Sequence, residues 1–230
     1  MGAAACPCPA AGMARVQPLG PVHAEGENVM EKTGKGRLRI DGHTLLAGVI
    51  GWPVAHSRSP LMHNWWLEQC GVNGAYVPLP VAPGQFDTAV RGLQAAGFRG
   101  ANVTIPHKES ACRIVDRLHR SAQRSGSVNT LVFASDGKIE GYSTDGDGFV
   151  ANVEAHGVRV EGGRALLLGA GGAARAIAAS LLDRGVAVVV ANRTRARADA
   201  LATMLEGITV VDWAQAGDVL PSCTMLVNTT

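Results

Sequence analysis

The stretch "NVTIPHKES" sets Asn102, Thr104 and Lys108 where an apolar run ends and a helix begins. Ligands of open α/β sheets collect at the carboxyl ends of strands, so these side chains stand where a site belongs. Lys108 falls in the first turn of the helix. A cation there opposes the helix dipole, which disfavours the charged form and suits a group that exchanges a proton near neutral pH. Asn129 in "SGSVNTLVF" and Thr144-Asp145 in "GYSTDGDGF" also border strands and precede turns. Two bland readings compete with a site here: Asp145 as the N-cap of the next helix, and Asn129 as a strand-end hydrogen bond. His107 reads as a packing or hydrogen-bonding side chain, and no metal site is expected.

Upstream, "GWPVAHSRSPLMHNWW" places Ser57 and Ser59 around Arg58. Ser59 before Pro60 reads as an N-cap followed by proline at the first helical position, and a helix N-terminus suits an anion. Alternation turns Arg58 outward, and Trp65 and Trp66 are assigned to packing.

The second chemical signal is a glycine turn. Strand "ALLLG" enters Gly169-Ala170-Gly171-Gly172-Ala173-Ala174, and the helix "ARAIAASLLDRG" follows at once. Strand, turn, helix and second strand in that order are the context a dinucleotide fingerprint requires. Gly169 makes the tight turn, Gly171 admits the pyrophosphate, and Ala174 lets helix meet strand. At the end of the second strand an acidic residue would hold the ribose hydroxyl of NAD, but this chain has Asn192-Arg193-Thr194. A guanidinium with flanking hydrogen-bonding groups suits a 2′-phosphate, so NADP is the expected cofactor. Asn192 and Thr194 could equally cap the next helix.

These groups need a scaffold, and 230 residues with 47% hydrophobic and 17% charged composition allow one large or two small globular domains. A net charge of +2 with scattered arginines offers no nucleic-acid stripe. No run approaches the roughly 18 apolar residues of a membrane span. Five cysteines without a CxxC pair suggest neither a disulfide framework nor zinc. A cytoplasmic protein with a small-molecule substrate is the expectation. Residues 1–44 lack periodicity and read as a disordered extension. From Leu45 apolar runs alternate with amphipathic stretches, which predicts βαβ units and a mostly parallel sheet, with a second series starting at Arg164. The expected fold is α/β in two domains: 45–144 for substrate, and 145–230 as a Rossmann-type cofactor domain.

Taken together, "GWPVAHSRSPLMHN", "NVTIPHKE", "SVNTL", "GYSTDGDGF", "GAGGAARA", "ANRT" and "LVNTT" resemble shikimate dehydrogenase in order and spacing. The resemblance spans 45–230. It implies an NADP-dependent oxidoreductase acting on a CH–OH group, reversibly reducing 3-dehydroshikimate to shikimate on the route to chorismate and the aromatic amino acids. It further implies that Ser57 and Ser59 hold the substrate carboxylate, that Thr104, Asn129 and Asp145 contact its hydroxyls, and that Lys108 with Asp145 forms the catalytic pair. Gly169, Ala170, Gly171, Gly172 and Ala173, with Asn192, Arg193 and Thr194, would hold NADP. A homodimer is the candidate assembly. The sequence departs from the family in having Ser143 where Asn is usual before Thr-Asp. It also stops after "LVNTT", where relatives continue to a C-terminal helix bearing a substrate-binding Gln, so the cofactor domain is expected to lack its C-terminal part. The alternatives are a quinate/shikimate dehydrogenase and a non-catalytic, metabolite-sensing dehydrogenase-like module.

Overall fold

The computed structural model describes residues 40–230. The first 39 residues of the expected 1–44 extension lie outside the described residues. Its last five are described, and Asp41–Thr44 form a turn in which the Thr44 hydroxyl donates to Asn73 Oδ1 at 2.8 Å and Asn73 Nδ2 to Asp41 at 3.0 Å.

The first half builds a six-stranded sheet. In chain order come β1 (Leu45–Gly51), α1 (Ser59–Gln69), β2 (Gly74–Pro80), α2 (Phe86–Ala95), β3 (Gly100–Val103), α3 (Lys108–Ile114), β4 (Arg117–Leu118), α4 (Arg120–Ser125), β5 (Thr130–Phe133) and β6 (Ile139–Tyr142). The strands lie in the order β2-β1-β3-β5-β6-β4. Strand β1 pairs parallel with β2 and β3, as the βαβ reading predicts. Strands β5 and β6 depart from it: β5 runs antiparallel to β3, and β6 antiparallel to β5. Between them "ASDGK" makes a tight turn with Gly137 at φ 79°, and a hairpin of two short strands leaves no length for a crossover.

The helices of this half end as their glycines dictate. Gly71 and Gly97 adopt positive φ just past α1 and α2. Phe86 and Val90 on one side of α2 enter a core with Ile50, Val103 and Leu131. Helix α1 differs. None of its residues is buried, and Trp65 and Trp66 are 55% and 46% exposed, which corrects their assignment to packing.

The second half, α5 (Asp145–Ala155), β7 (Arg164–Leu168), α6 (Gly172–Leu182), β8 (Ala187–Ala191), α7 (Arg195–Met204), β9 (Ile208–Val211), α8 (Ala216–Val219) and β10 (Met225–Asn228), carries a four-stranded parallel sheet in the order β10-β7-β8-β9. Leu167, Ile177, Leu181, Val188, Val190 and Leu201 form its core. Each such side chain contributes about 1.5–3 kcal/mol on burial. Val150 of α5 belongs to the same core, so the helix that begins at Asp145 is held by the second half. Small residues make that contact close: a Cβ at Gly146 would collide with the Ala176 carbonyl and the Ser180 hydroxyl of α6.

Candidate active site

The ends of β1 and β3 lie side by side, with Thr104 N–H donating to Ile50 O at 2.8 Å and a Cβ at Gly51 meeting Thr104 Cγ2 at 2.5 Å. Parallel pairing therefore delivers the Ser57-Ser59 loop and the Thr104-Lys108 loop to the same edge. The hairpin delivers the rest. Because β5 is antiparallel to β3, the start of β5 meets the end of β3, with Asn102 opposite Thr130. Because β6 is antiparallel to β5, its end returns to that point, with Thr130 opposite Tyr142. Asn129 and Thr144-Asp145 thus arrive at the site, Asn129 from the amino end of its strand.

There Lys108 Nζ donates to Asp145 Oδ2 at 2.5 Å. Asn129 Nδ2 donates to Asp145 Oδ1 at 2.6 Å and to Thr144 Oγ1 at 2.9 Å. Its Oδ1 accepts from Thr144 N–H at 3.1 Å and from the Thr130 hydroxyl at 2.9 Å. Both carboxylate oxygens are engaged, so Asp145 is no simple N-cap. Helix α5 starts at Asp145 itself, with Thr144 at the cap position and no side-chain capping bond. The opposing helix dipole expected to act on Lys108 is met by a full counter-charge, which holds the ammonium at a defined place.

The remaining predicted residues divide. Ser59 is not the N-cap of α1: the helix begins at Ser59, Arg58 takes the cap position, and Ser59 N–H donates to Ser57 Oγ at 3.3 Å. Ser57 and Ser59 still stand at the helix start, and Arg58 is exposed. Thr104 is half-buried beside Lys108's loop. His107 is 1% exposed, its Nε2 lies 2.7 Å from Val81 O, and its ring stacks on Phe86, which is the packing role expected of it. No group of three or more potential metal ligands occurs among the described residues.

At the glycine turn, Gly169 takes φ 115°, a region closed to other residues, and a Cβ there would collide with the Thr229 hydroxyl. Gly171 is the N-cap residue of α6, and a Cβ on it would meet nothing within 4 Å. The first turn of α6, including Gly172 and Ala173, has neither an acidic residue nor a capping side chain. Ala170 and Ala174 are buried beneath it. The turn thus offers backbone N–H groups and open space, which fits a pyrophosphate. Asn192 Nδ2 donates back to Thr194 O at 2.8 Å, and Thr194 occupies the cap position of α7 without a capping hydroxyl bond. Arg193 is exposed and makes no ion pair among the described residues, which leaves its guanidinium available to an anion.

One juxtaposition was not legible in the sequence. A Cβ at Gly172 would lie 2.9 Å from Ser127 Oγ and 3.1 Å from Lys108 Cδ, so the lysine stem rests against the dinucleotide turn. Arg175 of α6 reaches Glu109, the next residue of α3, at 3.4 Å. A polar Ser127 between Gly126 and Val128 was the only hint. An apolar hollow of about 460 Å³, lined in part by Trp66, Tyr76, Asn102 and Thr130, lies on the first sheet beside these residues and contains neither Lys108 nor Asp145.

Ser143, the departure from the family pattern, is buried with its hydroxyl unpartnered, while the Lys108–Asp145 pair is intact. An orphaned buried hydroxyl costs about 1–3 kcal/mol. Ser143→Ala is therefore expected to raise the melting temperature by roughly 3–10 °C; a fall measured by calorimetry would mean the hydroxyl has a partner.

Comparison with known proteins places the chain in a family. The sequence model for the shikimate dehydrogenase substrate binding domain matches residues 49–131, and that for shikimate / quinate 5-dehydrogenase matches 152–230. Shikimate dehydrogenase (NADP(+)) of Gluconobacter oxydans (strain 621H) is 60% identical over 191 residues, covering 83% of this chain and 68% of the relative. Crystal structures of shikimate dehydrogenase from Aquifex aeolicus (TM-score 0.79, 36% identity, 84% of this chain and 71% of that one) and of shikimate 5-dehydrogenase from Thermus thermophilus in complex with NADP(H) and shikimate (TM-score 0.73, 40% identity, 81% and 69%) share the fold.

Proposed function

This chain belongs to the shikimate dehydrogenase family, and from that premise we propose that it catalyses the reversible NADPH-dependent reduction of 3-dehydroshikimate to shikimate, on the route to chorismate and the aromatic amino acids. The observation that carries the reading is the Lys108–Asp145 pair at 2.5 Å with the lysine stem packed against Gly172 of the dinucleotide turn. A proton-exchanging amine and a cofactor cradle in contact are what carbonyl reduction requires.

In this proposal residues 45–144 bind the substrate and 145–230 the cofactor. Ser57 and Ser59 at the start of α1 hold the substrate carboxylate. Thr104, Asn129 and Asp145 receive its hydroxyls and set the ring's orientation. Bound NADPH supplies the hydride. Lys108 Nζ donates the proton to the carbonyl oxygen in the reducing direction and takes it back in the oxidising one, while Asp145 holds the amine in line. The Gly169–Ala173 turn binds the pyrophosphate, and Arg193, with Asn192 and Thr194, the 2′-phosphate.

The test is shikimate-dependent reduction of NADP+ by the 230-residue chain, followed by nicotinamide absorbance, with NAD+ and quinate assayed alongside. Turnover with shikimate and NADP+ is expected; a folded chain that binds neither compound would overturn the reading. For the cofactor, Arg193→Ala removes charge-assisted hydrogen bonds of about 1.5–3 kcal/mol. The dissociation constant for NADP+ is expected to rise roughly ten- to a hundredfold by calorimetry, with that for NAD+ nearly unchanged. Equal weakening of both would remove Arg193 from 2′-phosphate recognition.

The proposal extends to a cytoplasmic homodimer. Leu61, Trp65 and Trp66 give α1 an exposed apolar ridge that a second copy could cover, and sedimentation measures the mass.

A further inference from the structure

Tyr76 sits on β2, at the edge of the first sheet and apart from the glycine turn, yet a file of side-chain hydrogen bonds joins it to the catalytic pair. Its hydroxyl donates to Asn102 Oδ1 at 2.6 Å. Asn102 Nδ2 then faces the other way and donates to Thr130 Oγ1 at 3.1 Å and to Asn129 O at 3.3 Å. Having accepted there, the Thr130 hydroxyl gives its one proton to Asn129 Oδ1 at 2.9 Å. Asn129 is left with Nδ2 aimed at Asp145 Oδ1, and the other oxygen of Asp145 takes Lys108.

The file has a direction. Reversing the Asn102 amide would bring its oxygen against the Asn129 carbonyl, two acceptors at 3.3 Å with no proton between them. Reversing Asn129 would aim an oxygen at the Asp145 carboxylate. Tyr76 heads the sequence as a donor. Only 5% exposed, its phenol is pushed by burial further above its ordinary range, so the proton is present at every working pH. Its position is held from α1. Asn64 Nδ2 donates to Tyr76 O at 2.8 Å, Tyr76 N–H donates to Asn64 Oδ1 at 2.9 Å, and the His63 ring stacks on the phenol with centroids 4.1 Å apart. His63 Nδ1 lies 2.9 Å from Ser59 O, so the file starts on the helix whose first residue, Ser59, is one of the two proposed carboxylate anchors.

We propose that Tyr76 is a positioning residue: its hydroxyl anchors the donor end of the Asn102–Thr130–Asn129 file, whose direction the Asn129 carbonyl and the Asp145 carboxylate enforce, and so helps hold that carboxylate in the orientation that serves Lys108. This rests on Lys108 and Asp145 being the proton-transfer pair. Thr144 N–H also donates to Asn129 Oδ1, so loss of the phenol weakens the alignment without abolishing it.

Tyr76→Phe keeps the ring, the stacking and the backbone pairing with Asn64, and Thr130→Val keeps the strand. Each is expected to lower kcat about five- to tenfold, with KM for shikimate within about twofold, because the file ends on the catalytic pair. The double variant is expected to be no slower than Thr130→Val alone, since a file cut once is not cut further. A second measurement needs no turnover: the side-chain amide resonances of Asn129 in the isolated protein should shift in Tyr76→Phe, although two side chains intervene. Unmoved Asn129 resonances, an unchanged kcat, or multiplicative losses in the double variant would overturn the proposal. A wild-type chain without shikimate-dependent turnover would overturn the reaction reading instead, and the Asn129 resonances would still decide whether Tyr76 governs that side chain.

Discussion

Lys108→Ala should lower shikimate-dependent NADP+ reduction at least about a hundredfold, the lower end of what a positioned proton-transfer group contributes. The substitution removes the Nζ that lies 2.5 Å from Asp145 Oδ2 and leaves the carboxylate with Asn129 alone. It also removes a stem that packs against Gly172, so lost turnover could reflect a loosened cofactor turn. Lys108→Met separates the two effects, because it restores most of the stem without the amine. Both variants should lose turnover alike while Lys108→Met keeps the wild-type NADP+ affinity measured by calorimetry. Near-normal turnover in Lys108→Met would take Lys108 out of the mechanism.

Gly146→Ala should be the more damaging change to the fold, although it adds one methyl group. That methyl would occupy the space of the Ala176 carbonyl and the Ser180 hydroxyl, and backbone cannot move aside as a side-chain tip can. Helices α5 and α6 must separate, at a cost of about 1–3 kcal/mol and a fall of roughly 3–10 °C in melting temperature. Two positions along the same helix, a methyl added at Gly148 would meet nothing within 4 Å, so Gly148→Ala should be neutral or gain up to about 1 kcal/mol from helix propensity. Differential scanning calorimetry of the pair tests the contrast, and equal stabilities would refute the packing argument. Gly146 directly follows Asp145, so Gly146→Ala should also lose turnover at temperatures where it remains folded.

The sequence speaks clearly where the signal is local. A strand leading into Gly169-Ala170-Gly171-Gly172 and then a helix declares a dinucleotide turn, because glycine alone readily adopts φ 115° and each requirement of the fingerprint falls within a few residues. The ends of α1 and α2 at Gly71 and Gly97 are local in the same sense. Capping was less legible. Ser59, Thr194 and Asp145 are all good capping residues by type, yet Ser59 and Asp145 lie inside their helices and the Thr194 hydroxyl makes no capping bond. Other partners claim Asp145, and a propensity carries no information about them.

Residue types and spacing by themselves determined the α/β class and the set of polar residues at strand ends, and they gave the expectation of a cofactor turn at Gly169–Ala173 and of a 2′-phosphate at Arg193. Tertiary structure alone decided which of those residues meet. Asn129, Thr144 and Asp145 come to Lys108 only because β5 and β6 form an antiparallel hairpin inside a sheet expected, and found, to be mostly parallel. Strand direction depends on pairing between distant segments, which period and composition do not encode. The contact of Lys108 with Gly172, and the file of hydrogen bonds from Tyr76 to Asp145, join residues tens of positions apart. Such contacts follow from the packing of α3 to α6 around two sheets, which no local stretch of the chain specifies.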